Sequence, residues 1–311
     1  DGTSCQRSTY AYPYLLAQQK GYTLNFKACS GATVSTVTNS QLSAVTSTTK
    51  YVTISVGGND AGFSSVITEC AQPGWMSNCD GSINTAQSYI NNTLPGRLST
   101  LYASIRSRAP GAVVVVTGYP RVFMGEDCNA GTWFSPAEQT RLNATADLLN
   151  SKLSAAASSR GFKWANPTSR YVGHAVCDDE EWVNGLSNPV GESYHPNRPG
   201  HDDGYASLVG AALQAMPKPN APNGGLGRLA FASTRSRRST TIVTWFERFT
   251  MRNERRRREN TTSCQVATSR SMRPRSQSMI QAWPSPSTRL ITKLSRRVSP
   301  SRRYATAAGS T

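Results

Sequence analysis

Ala112-Val113-Val114-Val115-Val116-Thr117-Gly118 is apolar on both faces of an extended chain. That pattern predicts a strand buried at the centre of a parallel sheet, covered on each side by helices. Shorter apolar runs at 22–28, 51–56 and 162–165 read as companion strands. Helical spacing or composition separates them, at 8–20, 34–45, 61–71, 84–108 (where Pro95 breaks or restarts the helix), 136–160 and 205–216. Alternating strand and helix implies parallel crossovers, hence an α/β fold, a three-layer α/β/α sandwich. Ligands in such sheets bind beyond the carboxyl ends of the strands, so the loops there are the place to look.

Charge divides the chain in two. Residues 1–216 carry 14 Lys+Arg and 15 Asp+Glu, a net of −1, whereas residues 217–311 carry 20 and 3, a net of +17. The break follows Met216 with Pro217-Lys218-Pro219-Asn220-Ala221-Pro222-Asn223-Gly224-Gly225, a linker or terminator signature. Beyond it stand 18 Arg against 2 Lys without sustained periodicity. Two readings compete for this stretch. A basic arm would bind phosphates, but no RNA-binding motif or aromatic platform accompanies the charge. The favoured reading is a disordered or frameshift-derived tail with no part in the folding of residues 1–216, and no nucleic-acid partner is expected.

Seven cysteines stand at 5, 29, 70, 79, 128, 177 and 264. None forms a CxxC pair or a zinc-spaced cluster with histidine, so wide spacing in a polar chain favours disulfides and an oxidising compartment. Six cysteines within 1–216 allow 15 pairings, and spacing alone does not choose among them. No stretch reaches the length of a membrane span. The sequence begins at Asp1 without an initiator Met; removal of a secretory leader and a start inside the gene are the two readings.

Three loops carry chemistry. Cys29-Ser30-Gly31-Ala32-Thr33 follows the first predicted strand, Gly57-Gly58-Asn59-Asp60 follows the second, and Glu192-Ser193-Tyr194-His195-Pro196 precedes the last helix. Ester hydrolysis needs a nucleophile, a base to activate it and donors aimed at the developing oxyanion. A Gly after a strand lets a backbone N–H approach a ligand. An Asn in the neighbouring turn can aim its amide at the same point, and a His beside a rigid Pro can serve as the base.

Together these blocks resemble the SGNH (GDSL) hydrolases, particularly the secreted bacterial lipase, phospholipase A and esterase branch, which also has a Gly-Tyr-Pro-Arg segment like that at 118–121. The resemblance covers about residues 1–216 and implies a flavodoxin-like sandwich. It also implies a serine carboxylic-ester hydrolase acting on lipid or short-chain ester substrates, with no metal or cofactor, monomeric, without a stable protein partner, in at most transient contact with a lipid surface, and secreted. Gly31 N–H and the Asn59 amide would be oxyanion donors and His195 the base. The His would be oriented by the Ser193 carbonyl, favoured, or by the Glu192 carboxylate. The same branch implies three consecutive disulfides: Cys5–Cys29, Cys70–Cys79 and Cys128–Cys177.

The sequence departs from the family at one point. The Gly-Asp-Ser block that carries the nucleophile, and the strand before it, are not found in residues 1–311, and no Gly-x-Ser-x-Gly elbow replaces them. The chain as written is therefore expected to be inactive. A non-catalytic remnant or acyl-ligand-binding protein is the alternative reading, and binding of nucleic acid through the tail a weaker one. Ser30 is expected to be structural, His174 to lie near a disulfide, His201 to be a surface residue at a helix start, and 178–181 to be a solvated acidic loop. Trp75, Trp133, Trp164 and Trp182 are divided between an acyl groove and core packing.

Overall fold

A computed structural model describes residues 1–214 and 241–245, all within one unit, Asp1–Arg258. Helix α1 (Tyr12–Lys20) starts with a Pro in its first turn and stops at Gly21, whose left-handed backbone (φ 65°) returns N–H groups to the last carbonyls. Strand β1 (Thr23–Phe26), a short helix α2 (Val34–Thr36) that runs on as irregular turns to Ala44, and strand β2 (Tyr51–Ile54) follow. Helix α3 (Phe63–Cys70) leads to α4 (Cys79–Asn92) and α5 (Leu94–Arg108). The break expected near Pro95 is present, and it separates α4 from α5. Pro95 occupies the opening turn of α5, where its missing N–H costs no helical bond. Strand β3 (Val113–Thr117), helix α6 (Pro136–Ser158), strand β4 (Lys163–Ala165) and helix α7 (Ser207–Gln214) complete the expected alternation. A capping box between Ser135 and Glu138 fixes the start of α6.

The sheet is parallel throughout, as the four valines of β3 imply. Val52 pairs with Val114 and Ile54 with Val116 across β2 and β3, and β4 lies on the other side of β3. Val114 and Val116 pack with Val52 and Ile54 under Leu98, Leu101 and Ile105 of α5 and Leu149 and Leu153 of α6. Val115 points to the opposite face, where Leu16 of α1 and Val209 and Leu213 of α7 cover it. One strand therefore feeds two cores and fixes three layers.

Five residues of the basic tail belong to this sheet. Strand β5 (Thr241–Trp245) lies between β1 and β2 and gives the order β1-β5-β2-β3-β4. It runs parallel to both neighbours, Phe26 facing Thr244 and Ile54 facing Trp245. The expectation of a tail without structure does not hold for 241–245. β-Branched Thr241, Ile242, Val243 and Thr244 supply the strand propensity. The remainder of the tail, including Cys264, lies outside the described residues.

All three expected disulfides are formed: Cys5–Cys29, Cys70–Cys79 and Cys128–Cys177. No helix among the described residues is long and apolar enough to cross a membrane. His201, expected on the surface, is buried within a turn of π-helix at Gly200–Ala206 and stacks against Tyr12. The polar His201-Asp202-Asp203-Gly204 text hides this, because only the histidine faces inward while Asp202 and Asp203 stay exposed.

Candidate active site

The turn after β1 is held from outside. Cys29 is tied to Cys5, and the Ser30 N–H donates to the Cys5 carbonyl at 3.1 Å. Gly31 follows with φ +72°, a conformation that side-chain-bearing residues rarely adopt, so Gly is required there. Its peptide lies on the exposed side of the turn. The turn after β2 reaches across to it. The Asn59 amide donates to the Ala32 carbonyl at 3.2 Å, and the Val34 N–H donates to the Asp60 carboxylate at 2.8 Å. Two loops that are 26 or more residues apart in sequence are thus tied together, Asn59 bonding to the residue that follows Gly31.

Asp60 is the strut of that junction. Burial pushes its carboxyl above the usual range, while the Val34 N–H and the Arg97 guanidinium, 3.9 Å away, pull it back. Tyr119, from the Gly-Tyr-Pro-Arg segment, accepts the Gly58 N–H on its hydroxyl at 3.2 Å. Its own backbone is held at both ends by the Asn150 amide on α6, which accepts from Tyr119 N–H and donates to Tyr119 C=O, each at 2.8 Å. Gly118 permits that approach, since a Cβ there would stand 2.6 Å from the Asn150 amide oxygen.

His195 comes from the other end of the domain. Its Nδ1 lies 2.7 Å from the Ser193 carbonyl, and its ring meets Phe63 edge-on at 5.5 Å. Between the two residues Tyr194 takes φ +60°, sparsely populated for an aromatic residue. The strain is supported on several sides. The Tyr194 ring is packed against Phe123 and Phe134, and Asn184 grips the segment by bonds to the Tyr194 N–H, the His195 carbonyl and the Glu192 carbonyl. This kink turns the Ser193 carbonyl toward the imidazole. Burial lowers the His195 pKa and the Ser193 carbonyl raises it, the net being downward, which favours the neutral ring; because a carbonyl only accepts, the 2.7 Å contact places a proton on Nδ1. Glu192 is itself buried.

A cavity of about 110 Å³ opens between these parts. Gly58 and His195 stand on its wall, so the turn after β2 and the candidate base share one space, whereas Gly31 and Asn59 are not among the residues that line it. The remaining wall is apolar, including Val66, Ile67, Ala86, Ile90, Leu142 and Ala146. Polar groups on the wall are engaged elsewhere. Asn143 accepts from the Val122 and Phe123 N–H groups, and Thr145 donates to the Arg141 carbonyl. The cavity therefore offers methyl groups and rings to a ligand, with the polar chemistry confined to one end.

The other candidates separate from this site. None of Trp75, Trp133, Trp164 and Trp182 lines the cavity. Trp182 is buried and Trp164 partly so, whereas Trp75 and Trp133 stand in solvent. His174 stacks on Trp182 at 3.8 Å with Nδ1 2.8 Å from the Glu180 carbonyl. Within 178–181 two carboxylates cap their own turn, Asp178 accepting from Ala175 N–H and Glu181 from Cys177 N–H. Cys128, Cys177 and Glu181 converge, but both sulfurs are consumed in the disulfide and cannot ligate a metal. Sequence reasoning missed Asn143, Asn150 and Asn184. The first two are seven apart on one face of a helix, a periodic polar pair on an otherwise apolar stripe; Asn184 has no comparable signal.

A parallel three-layer sandwich with a buried histidine and the Gly57–Asp60 turn beside an apolar cavity is an arrangement compatible with ester hydrolysis. Comparison with known proteins makes it particular. The GDSL-like Lipase/Acylhydrolase family matches residues 1–202. A lipase of Streptomyces rimosus is 40% identical over 211 residues, covering 67% of this chain and 78% of that protein. Lipase 1 of Streptomyces coelicolor is 39% identical, covering 67% and 77%. Among solved structures, an extracellular lipase from Streptomyces rimosus aligns with a TM-score of 0.63 at 40% identity, and a phospholipase A1 from Streptomyces albidoflavus with 0.64 at 37%. Each alignment covers 67% of this chain and 89% of the other. The chain belongs to the GDSL-like lipase/acylhydrolase family, and by that lineage it is a lipid-ester hydrolase.

Proposed function

We propose that residues 1–216, completed by strand 241–245, form a secreted, monomeric hydrolase domain. In it His195 is the general base, oriented by the Ser193 carbonyl rather than the Glu192 carboxylate. Gly31 N–H and the Asn59 amide stabilise the oxyanion of a lipid or short-chain ester whose acyl chain enters the cavity. The observation that supports this best is the junction of the two donor loops through Asn59 and Asp60, beside a cavity whose wall includes His195. In the full reaction a serine hydroxyl would lose its proton to His195 Nε2 and add to the ester carbonyl. The negative charge would form between Gly31 and Asn59, the proton would pass to the departing alkoxide, and a water molecule deprotonated by the same imidazole would then cleave the acyl-serine to the free acid and restore the hydroxyl. Three disulfides and the Streptomyces relatives, one of them extracellular, support secretion.

The serine for that first step is not supplied in family form within residues 1–311, which contain no Gly-Asp-Ser. Ser30 sits in the turn beside the Cys5–Cys29 bridge, its N–H bonded to the Cys5 carbonyl, and is read as structural. The 311-residue chain is therefore read as turning over esters at background rates while keeping the ligand site. An acyl-ligand-binding role is the second reading, favoured by the intact apolar cavity. Displacement of dansyl-labelled undecanoate by decanoate tests the cavity: saturable displacement is expected, weakened by Ala146→Trp. No binding by a folded chain would overturn the acyl site. Reaction with a fluorophosphonate probe tests the serine; labelling that depends on His195 would overturn the background-rate reading.

A further inference from the structure

Eight large apolar side chains among the described residues are exposed, and six of them sit on three loops at one end of the domain: Trp75, Met76, Met124, Trp133, Leu186 and Val190. The loops are joined to one another. The Trp133 N–H donates to the Ala71 carbonyl at 3.2 Å, and the Leu186 N–H to the Asn129 side-chain oxygen at 3.1 Å. Trp75 is 84% exposed and Trp133 55%, an unusual presentation for the two largest apolar residues on a water-facing surface.

This exposure is built into stiff loops. Cys70–Cys79 closes the loop carrying Trp75 and Met76, and Cys128–Cys177 anchors the one carrying Trp133. The Asp127 carboxylate accepts from Asn129 N–H, the Thr132 hydroxyl and Phe134 N–H, while Glu69 accepts from Asn78 N–H at 2.6 Å. Loops so constrained hold the backbone from which both indoles project outward. The patch also borders the cavity: Phe134, next to Trp133, packs on Phe123 and Tyr194, two cavity walls, and Met124 follows Phe123.

We propose that this rim is an interfacial docking surface that seats the domain on a zwitterionic phospholipid surface, with the cavity at the lipid boundary. Indole rings suit that boundary, having an apolar body and a polar N–H. Residues 71–78, 122–135 and 184–192 contain no Lys or Arg and three carboxylates, Glu126, Asp127 and Glu192. Such a rim gains nothing from an anionic headgroup, so the attraction is apolar and resistant to salt. The inference rests on the lipid-ester reading of the site but is tested without turnover.

The test is flotation of the full 311-residue chain with phosphatidylcholine vesicles in 0.5 M salt (about; a regime in which long-range charge attraction of the basic tail is screened). Co-flotation is expected, together with quenching of tryptophan fluorescence by lipids brominated in their acyl chains. Trp75→Ser with Trp133→Ser should weaken partitioning by about tenfold per indole, with an unchanged melting midpoint, whereas Phe at both positions should retain most of it. Undiminished binding by the serine double variant, or binding only to anionic vesicles and lost in salt, would overturn the proposal. Decanoate binding in the cavity without any vesicle binding would overturn the surface and leave the site standing.

Discussion

Strands β2 and β5 lie side by side, parallel and in register, and end at the same edge of the sheet. Beyond β2 the chain reaches Gly57-Gly58-Asn59-Asp60, the last three of which bond to Tyr119 and to the turn after β1. After β5 it continues in sequence as Phe246-Glu247-Arg248, with no glycine for a close backbone approach and no hydroxyl. A slot in a parallel sheet accepts a short β-branched run, because backbone ladders carry most of the specification. The chemistry at the end of that slot is specified separately, by the residues that follow the strand. Filling the sheet and arming the site are two independent requirements, and under the proposed reading β5 serves the first without the second.

The largest effect should come from removing β5. Cutting after Met216 leaves β1 and β2 without a common partner in the middle of the sheet, and the loss is expected to approach the whole stability of a domain, about 5–15 kcal/mol. An unchanged melting midpoint would mean that β5 contributes nothing in solution. The comparison sharpens with single prolines: Val115→Pro in β3 and Val243→Pro in β5 should each cost more than about 3 kcal/mol, since each removes a central-strand donor. Destabilisation by the β3 variant alone would reduce β5 to an accessory.

Next comes the Cys70–Cys79 bridge that closes the loop between α3 and α4. Replacing both cysteines with serine should lower stability by about 2–5 kcal/mol in thermal or denaturant melts. Asn150→Ala should cost about 1–3 kcal/mol by leaving the Tyr119 backbone groups without partners. It should also loosen decanoate binding, because Tyr119 holds Gly58. Smallest is the histidine. By NMR titration His195 should titrate below the ordinary value of about 6.5. The sign follows from burial: as pH falls below that value the unfolded chain takes up its proton first, so His195 makes the fold less stable in acid. His195→Gln should flatten that part of the pH profile; a histidine that titrates above the ordinary value would contradict the assignment of a buried neutral base.

Legibility followed the same division. β2 and β3 could be read because consecutive β-branched residues stand between clear turn signals, and the donor loops because Gly31, Asn59 and His195 sit in recognisable blocks. β5 could not, because Thr241–Trp245 is embedded in Arg-, Ser- and Thr-rich text whose composition outweighs five residues of propensity. His201 was misplaced because charged neighbours conceal a single inward-facing ring. The Tyr194 kink and the Asn184 clamp are tertiary: nothing local marks a tyrosine for φ +60° or an asparagine for three backbone bonds. Trp75 and Trp133 were divided between groove and core, whereas the disulfide-bound loops hold both outside.

The central claim, that donors and base are assembled around a site without its serine, is tested most directly by initial rates on a short-chain p-nitrophenyl ester. The full chain and its His195→Ala variant should be compared at equal concentration, after matched melting curves show that both are folded. The account predicts two indistinguishable rates at the level of the oxyanion donors and binding alone, no more than about 10³–10⁴-fold over water. Turnover at ordinary enzyme rates that disappears in His195→Ala would contradict it, and would require a serine within residues 1–311 to act as nucleophile.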